Sequence, residues 1–172
     1  MGGFEEDYER QMSEARERAR AQGRGDVVDY LDLRAANDRL RAAGVEWLVG
    51  AFTALAGEAN RQGAGLSLAR TEAHRFRVGQ ATMVGPRLVL TRGVRSLTVE
   101  AGWPRVPRDG VVRGGGLACA LVGHFGLRDA GDELLLVPDA ADAPRWLVVE
   151  KTGTRTPLHE ARLRRHLARL TA

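Results

Sequence analysis

The sequence predicts an α+β fold: an antiparallel β-sheet of about six strands, with N-terminal helices and a C-terminal helix packed on it. Three observations lead there. Apolar residues recur at helical spacing through the first third of the chain, alternate in short glycine-punctuated runs through the middle, and return to helical spacing at the end.

Over residues 4–22, Phe4, Tyr8, Met12, Ala15 and Ala19 make a narrow apolar stripe, the mark of a helix that docks on something. Glu5, Glu6 and Asp7 at its start and Arg16, Arg18 and Arg20 near its end complement the helix dipole. Gly23 and Gly25 break it. Asp26 then caps a second helix that runs to Ala43, with Gly44 as its stop. A third begins at Val45, where Leu48, Ala51, Phe52, Leu55 and Ala59 share one face. Residues 1–44 thus read as a helical extension and residues 45–172 as the α+β domain.

After Gly63 and Gly65 the period drops to two, with His74, Phe76 and Val78 alternating as in a half-buried strand. The runs QATMV, RLVLT, VRSLTVEA, GLACALVGHF, DELLLVP and RWLVVE follow, parted by glycines and prolines as in an antiparallel meander. The stretch 139–145 is a tight connection. Thr156 as N-cap and Pro157 in the first turn open the last helix, with Leu163, Leu167 and Leu170 on one face.

The composition, 44% hydrophobic and 28% charged over 172 residues, fits one folded domain and excludes global disorder. An acidic N-terminus and the lack of any apolar run near the ~20 residues that span a bilayer give the expectation of a soluble cytoplasmic protein with no membrane association. Cys119 is the single cysteine, so no internal disulfide forms, and its apolar run reads as a buried thiol. The histidines at 74, 124, 159 and 166 match no metal-ligand spacing, and neither a metal nor a cofactor is expected. The RGGGLACA run lacks the lysine of a phosphate-binding loop and the third glycine of a dinucleotide fingerprint. Its glycines are expected at a bulge or a close backbone approach.

Net charge of +4 hides a segregated pattern. Residues 70–128 hold ten arginines against Glu72, Glu100 and Asp109, whereas residues 129–150 hold six acids against Arg145. Two readings follow. Arg75, Arg77, Arg95, Arg105, Arg108 and Arg113, with Trp103 among them, form a surface for nucleic acid or another polyanion, or the arginines pair with the acidic segment. For a small-molecule enzyme the residues to test are Glu100 and His124, on strands that could be neighbours. The alternative for Glu100 is a salt bridge to Arg95, Arg105 or Arg113.

No catalytic signature stands out. The expected function is a binding or adaptor domain, non-catalytic, that works through two surfaces. The Phe4, Tyr8, Met12 seam would meet a protein partner, a second copy or the chain's own sheet, and the arginine-rich sheet surface is the other.

Overall fold

The computed structural model describes residues 3–140 and 143–172, with side chains from Glu6 onward. The elements run α1 (Gly3–Ala21), α2 (Gly25–Arg61), β1 (Ser67–Val78), β2 (Ala81–Arg92), β3 (Arg95–Gly102), β4 (Ala118–His124), β5 (Leu127–Pro138), β6 (Pro144–Val149), β7 (Arg155–Pro157) and α3 (Glu160–Thr171). The fold is α+β with an antiparallel sheet of seven strands rather than about six: the runs QATMV and RLVLT, read as separate strands, form the single strand β2, and the three residues of β7 fall where a helix start was expected. The chain divides into two compact units, residues 1–39 and 40–172.

In the first unit the apolar stripe of α1 meets the first half of α2. Tyr8, Met12 and Ala15 are half-buried and Ala19 is buried. The Tyr8 hydroxyl donates to Asp38 at 2.7 Å, and Arg16 pairs with Asp32 at 2.7 Å. Gly23, at φ 69°, makes the turn between the helices, and the Arg24 N–H closes it on the Ala19 carbonyl. The seam is therefore occupied by α2 at Tyr8, and Met12 is half-buried; the Phe4 side chain lies outside the described residues.

The expected stop at Gly44 does not occur, and α2 continues from Gly25 to Arg61. Gly44 is a packing notch. A Cβ there would come within 2.5 Å of Leu136 Cδ2, and the Gly44 carbonyl accepts the indole N–H of Trp146 at 2.9 Å. Close approach of the helix to the sheet, not helix termination, requires the missing side chain.

In the second unit the strands pair in sequence order, β1 to β7. One face of the sheet carries Leu88, Leu90, Leu97, Val99, Ala120, Val122, Leu134 and Val148, which pack against Leu48, Val49 and Phe52 of α2 and Leu163, Leu167 and Leu170 of α3. The other face carries a smaller cluster of Phe76, Val78, Ala81, Met83, Cys119 and Leu135, completed by Val112 from the connection between β3 and β4. A bulge between Thr71 and His74, with Ala73 at φ 52°, shifts the register of β1 on β2. The bulge and the charges Arg70 and Glu72 interrupt an edge strand whose residues 67–73 are all exposed.

The last helix starts at Glu160 with His159 as N-cap, not at Thr156. Thr156 is held in β7, its backbone opposite Val148 and its hydroxyl on Glu150 at 3.0 Å. Strand pairing outcompetes the cap signal. Among the described residues no helix is long and apolar enough to cross a membrane.

Candidate functional site

The connection between β3 and β4, Trp103 to Leu117, brings most of the sequence-predicted binding residues together. It begins beside the helix-side core, where Trp103 packs, and reaches the opposite face at Val112. On the way it crosses the tip of the β1–β2 hairpin, and Gly110 lies so close to Ala81 that a Cβ would be 3.2 Å from the alanine methyl.

Asp109 anchors the crossing. Its carboxylate is 4% exposed and accepts the backbone N–H groups of Arg105 at 3.2 Å and Val106 at 3.3 Å, and the Arg75 guanidinium at 2.9 Å. Burial alone would raise its pKa; the two amides and Arg75 outweigh that and hold it below the usual carboxylate value. Arg105 lies over the Trp103 ring, its guanidinium carbon 3.7 Å from the centroid, and donates to the Val84 carbonyl at 3.1 Å. Trp103, Arg105 and Arg75 thus build the turn.

Of the three other arginines, Arg77 and Arg113 border the Gly79–Gln80 tip, and Arg108 is carried on the 107–109 turn that crosses the hairpin. Arg77 reaches the Gln80 carbonyl at 3.1 Å, the Arg113 guanidinium occupies the space a Gly79 side chain would need, and Arg108 sits between Asp109 and Pro107. All three are exposed, and among the described residues Arg108 and Arg113 make no hydrogen bond or ion pair. Arg95 is elsewhere, at the β2–β3 turn, where it donates to the carbonyl of Ala172.

Among the described residues no ion pair joins the acidic segment to Arg77, Arg108 or Arg113. Asp132 and Glu150 bond Arg162 of α3, and Asp129 lies 3.5 Å from Lys151.

Glu100 and His124 are not brought together. Leu97, Val99 and Ala101 face the helices, so Glu100 faces away from them, whereas His124 stands opposite Leu97 and bonds His166 of α3. Glu100 instead bonds His74 at 2.7 Å, and Arg95, Arg105 and Arg113 are not its partners. The His74 ring stacks parallel on Phe76 with centroids 6.2 Å apart. The signal for this pair was present in sequence: a histidine two residues before an inward Phe76 must share its face. The bulge at Ala73 determined which strand position it met, and no residue pattern announced that.

Cys119 is buried beneath Val112, and burial, with Glu133 nearby, pushes its thiol up to about 12. It is a packed thiol at neutral pH. A shallow depression on the same face, lined by Thr98, Glu100, Leu121, Gly123, Arg128 and Glu133, is open to solvent. Among the described residues no cluster of histidine, cysteine or carboxylate side chains has the arrangement of a metal site.

In comparisons with protein-family models, curated proteins and solved structures, nothing matches this chain.

Proposed function

We propose that the protein is a non-catalytic binding module whose working surface is the basic tip formed by Arg77, Arg108 and Arg113, and whose ligand is a phosphate-bearing polyanion. The observation that supports this reading is the pairing of exposed Arg77 and Arg113 at one hairpin tip, with exposed Arg108 on the turn that crosses it, while the only acid in that turn, Asp109, is buried and engaged by Arg75. Guanidinium forks match phosphate oxygens in paired hydrogen bonds, and the turn beneath is fixed by the Arg105–Trp103 stack. Exposed cations on a fixed turn bind by counterion release, without the ordering cost of a mobile loop. The adaptor reading through α1 loses ground because Tyr8 is already bonded to Asp38 of α2 and Met12 is half-buried.

Fluorescence anisotropy with labelled single-stranded DNA and RNA across a salt series tests it. Binding at low salt is expected, with the slope of log K against log salt falling by about 1 for each arginine replaced by Ser. No binding at low salt, or binding indifferent to Arg77, Arg108 and Arg113, overturns it.

A further inference from the structure

Two imidazoles lie in direct contact between the sheet and α3. His124 Nε2 is 2.9 Å from His166 Nδ1, the rings stack with centroids 5.2 Å apart, and the two residues are 9% and 6% exposed. From His166 the chain continues: its Nε2 is 2.7 Å from Asp132 Oδ2 on β5. Arg162 grips both Asp132 oxygens at 2.8 and 2.7 Å, and bonds Glu150 at 2.9 Å. Thr156 of β7 completes the set on Glu150. The other groups facing it are the Phe52 ring of α2, 6.3 Å from His166, and Arg169 of α3, whose charge acts on His124.

The contact fixes the protons. If both rings are neutral, His166 donates from Nε2 to Asp132 and must accept at Nδ1, so His124 donates from Nε2 and keeps its only free lone pair on Nδ1. One added proton is tolerated. It can sit on His166, which then donates from both nitrogens, to Asp132 and to a His124 that has moved its own hydrogen to Nδ1. A second proton is not tolerated. Two imidazolium rings would place N–H against N–H, with like charges at hydrogen-bond distance and little water between them.

We propose that the His124–His166–Asp132 chain is a proton-operated latch that holds α3 on the sheet when the histidine pair carries at most one proton and releases it when both rings are charged. The release is local, because the chain joins α3 to β4 and β5 while the rest of the sheet is held by strand pairing and by α2. His124 is the ring that resists. Burial first, then the charges of His166 and Arg169, push its pKa down to about 4, against an ordinary value of 6.5. A released His124 takes up its proton near the ordinary value, so acidification through that window favours the released state.

Amide hydrogen exchange on the full chain at pH 7.5 and pH 5, expressed as protection factors, is the test. Protection at Leu163, Leu167 and Leu170 should fall on the order of tenfold at pH 5, while Leu97 and Val99 stay protected. His124→Gln, whose amide can still donate to His166 Nδ1, should abolish the fall. Unchanged α3 protection in the natural chain, an equal loss throughout the sheet, or a fall that persists in H124Q each overturns the proposal. If H124Q does not fold, imidazole NMR titration of the natural chain decides: the His124 ring must take up its proton over the same pH range in which α3 loses protection, and titration outside that range overturns the latch.

Discussion

His74 Nε2 lies 2.7 Å from Glu100 Oε1 on the sheet face turned away from the helices, and both side chains keep part of their surface in water. The pair ties the bulged edge strand β1 to β3 across β2. Partial solvation caps what it contributes: His74→Ala is expected to cost about 0.5–1 kcal/mol in urea denaturation, with an unchanged m-value. A loss well above that range would mean that the pair governs the register of β1.

Gly85→Ala should be among the most damaging single substitutions. The added methyl would overlap the Ala101 carbonyl and fall 2.8 Å from the Gly102 Cα, both backbone atoms of a paired strand that cannot retreat. A loss of about 3 kcal/mol or more is expected. Gly44→Ala meets the terminal methyls of Leu136 instead, which can rotate, and it gains about 1 kcal/mol of helix propensity, so its net cost should be the smaller of the two. Thermal unfolding of the two variants side by side checks the ranking.

Arg162→Met should destabilise by about 2 kcal/mol, since it leaves Asp132 and Glu150 facing one another without their shared cation, at a site that retains some water. Asp132 has a depressed pKa. Burial alone would raise it, but the hydrogen bonds from Arg162 and His166 and their charges outweigh that. A depressed carboxylate contributes stability above its ordinary value near 3.8 that disappears as pH falls toward the folded value. The gap between natural chain and R162M in chemical denaturation should therefore be wide at pH 7 and narrow below pH 4.

Trp146→Phe removes the indole N–H from the Gly44 carbonyl and part of a side chain that is 4% exposed. A loss of about 2–4 kcal/mol follows from the lost indole hydrogen bond and the cavity together, read by urea denaturation at pH 7.

Asp109→Ala leaves the Arg105 and Val106 amides and the Arg75 guanidinium without their common acceptor. Trypsin at pH 8 should then cut after Arg105 and Arg108 faster than in the natural chain, while cleavage after Arg70 on the edge strand changes little. Equal rates at Arg105 and Arg108 in the two proteins would show that the Trp103 stack suffices to hold the turn.

Legibility in the sequence followed the range of the forces involved. Alternation and period report burial, so the meander, the helical face around Phe52 and the buried Cys119 could all be read directly. The RGGG run was read correctly as a close approach: a Cβ on Gly116 would meet Leu135, and Gly114 adopts φ 72°. Gly44 and Pro157 misled because the same residues serve two purposes, and tertiary contacts with Leu136 and strand pairing with Leu147 decided between them. The His124–His166 contact could not be foreseen, and for His74 the sequence showed the face but not the partner Glu100, because each contact joins segments far apart in the chain through a register set elsewhere.

Every strand of the sheet pairs with its neighbours in sequence, and that has a kinetic side. The turns at Gly79–Gln80, Gly93–Val94 and Phe125–Gly126 close over two residues each, so β1 to β3 and β4 to β5 can zip as two separate hairpin blocks. Joining them means closing the loop from Trp103 to Leu117, which is the slowest of these closures and the step at which Trp103 becomes ordered against the core. Only the joined blocks offer α3 its complete seat. The C-terminal helix thus docks only after the two blocks have joined.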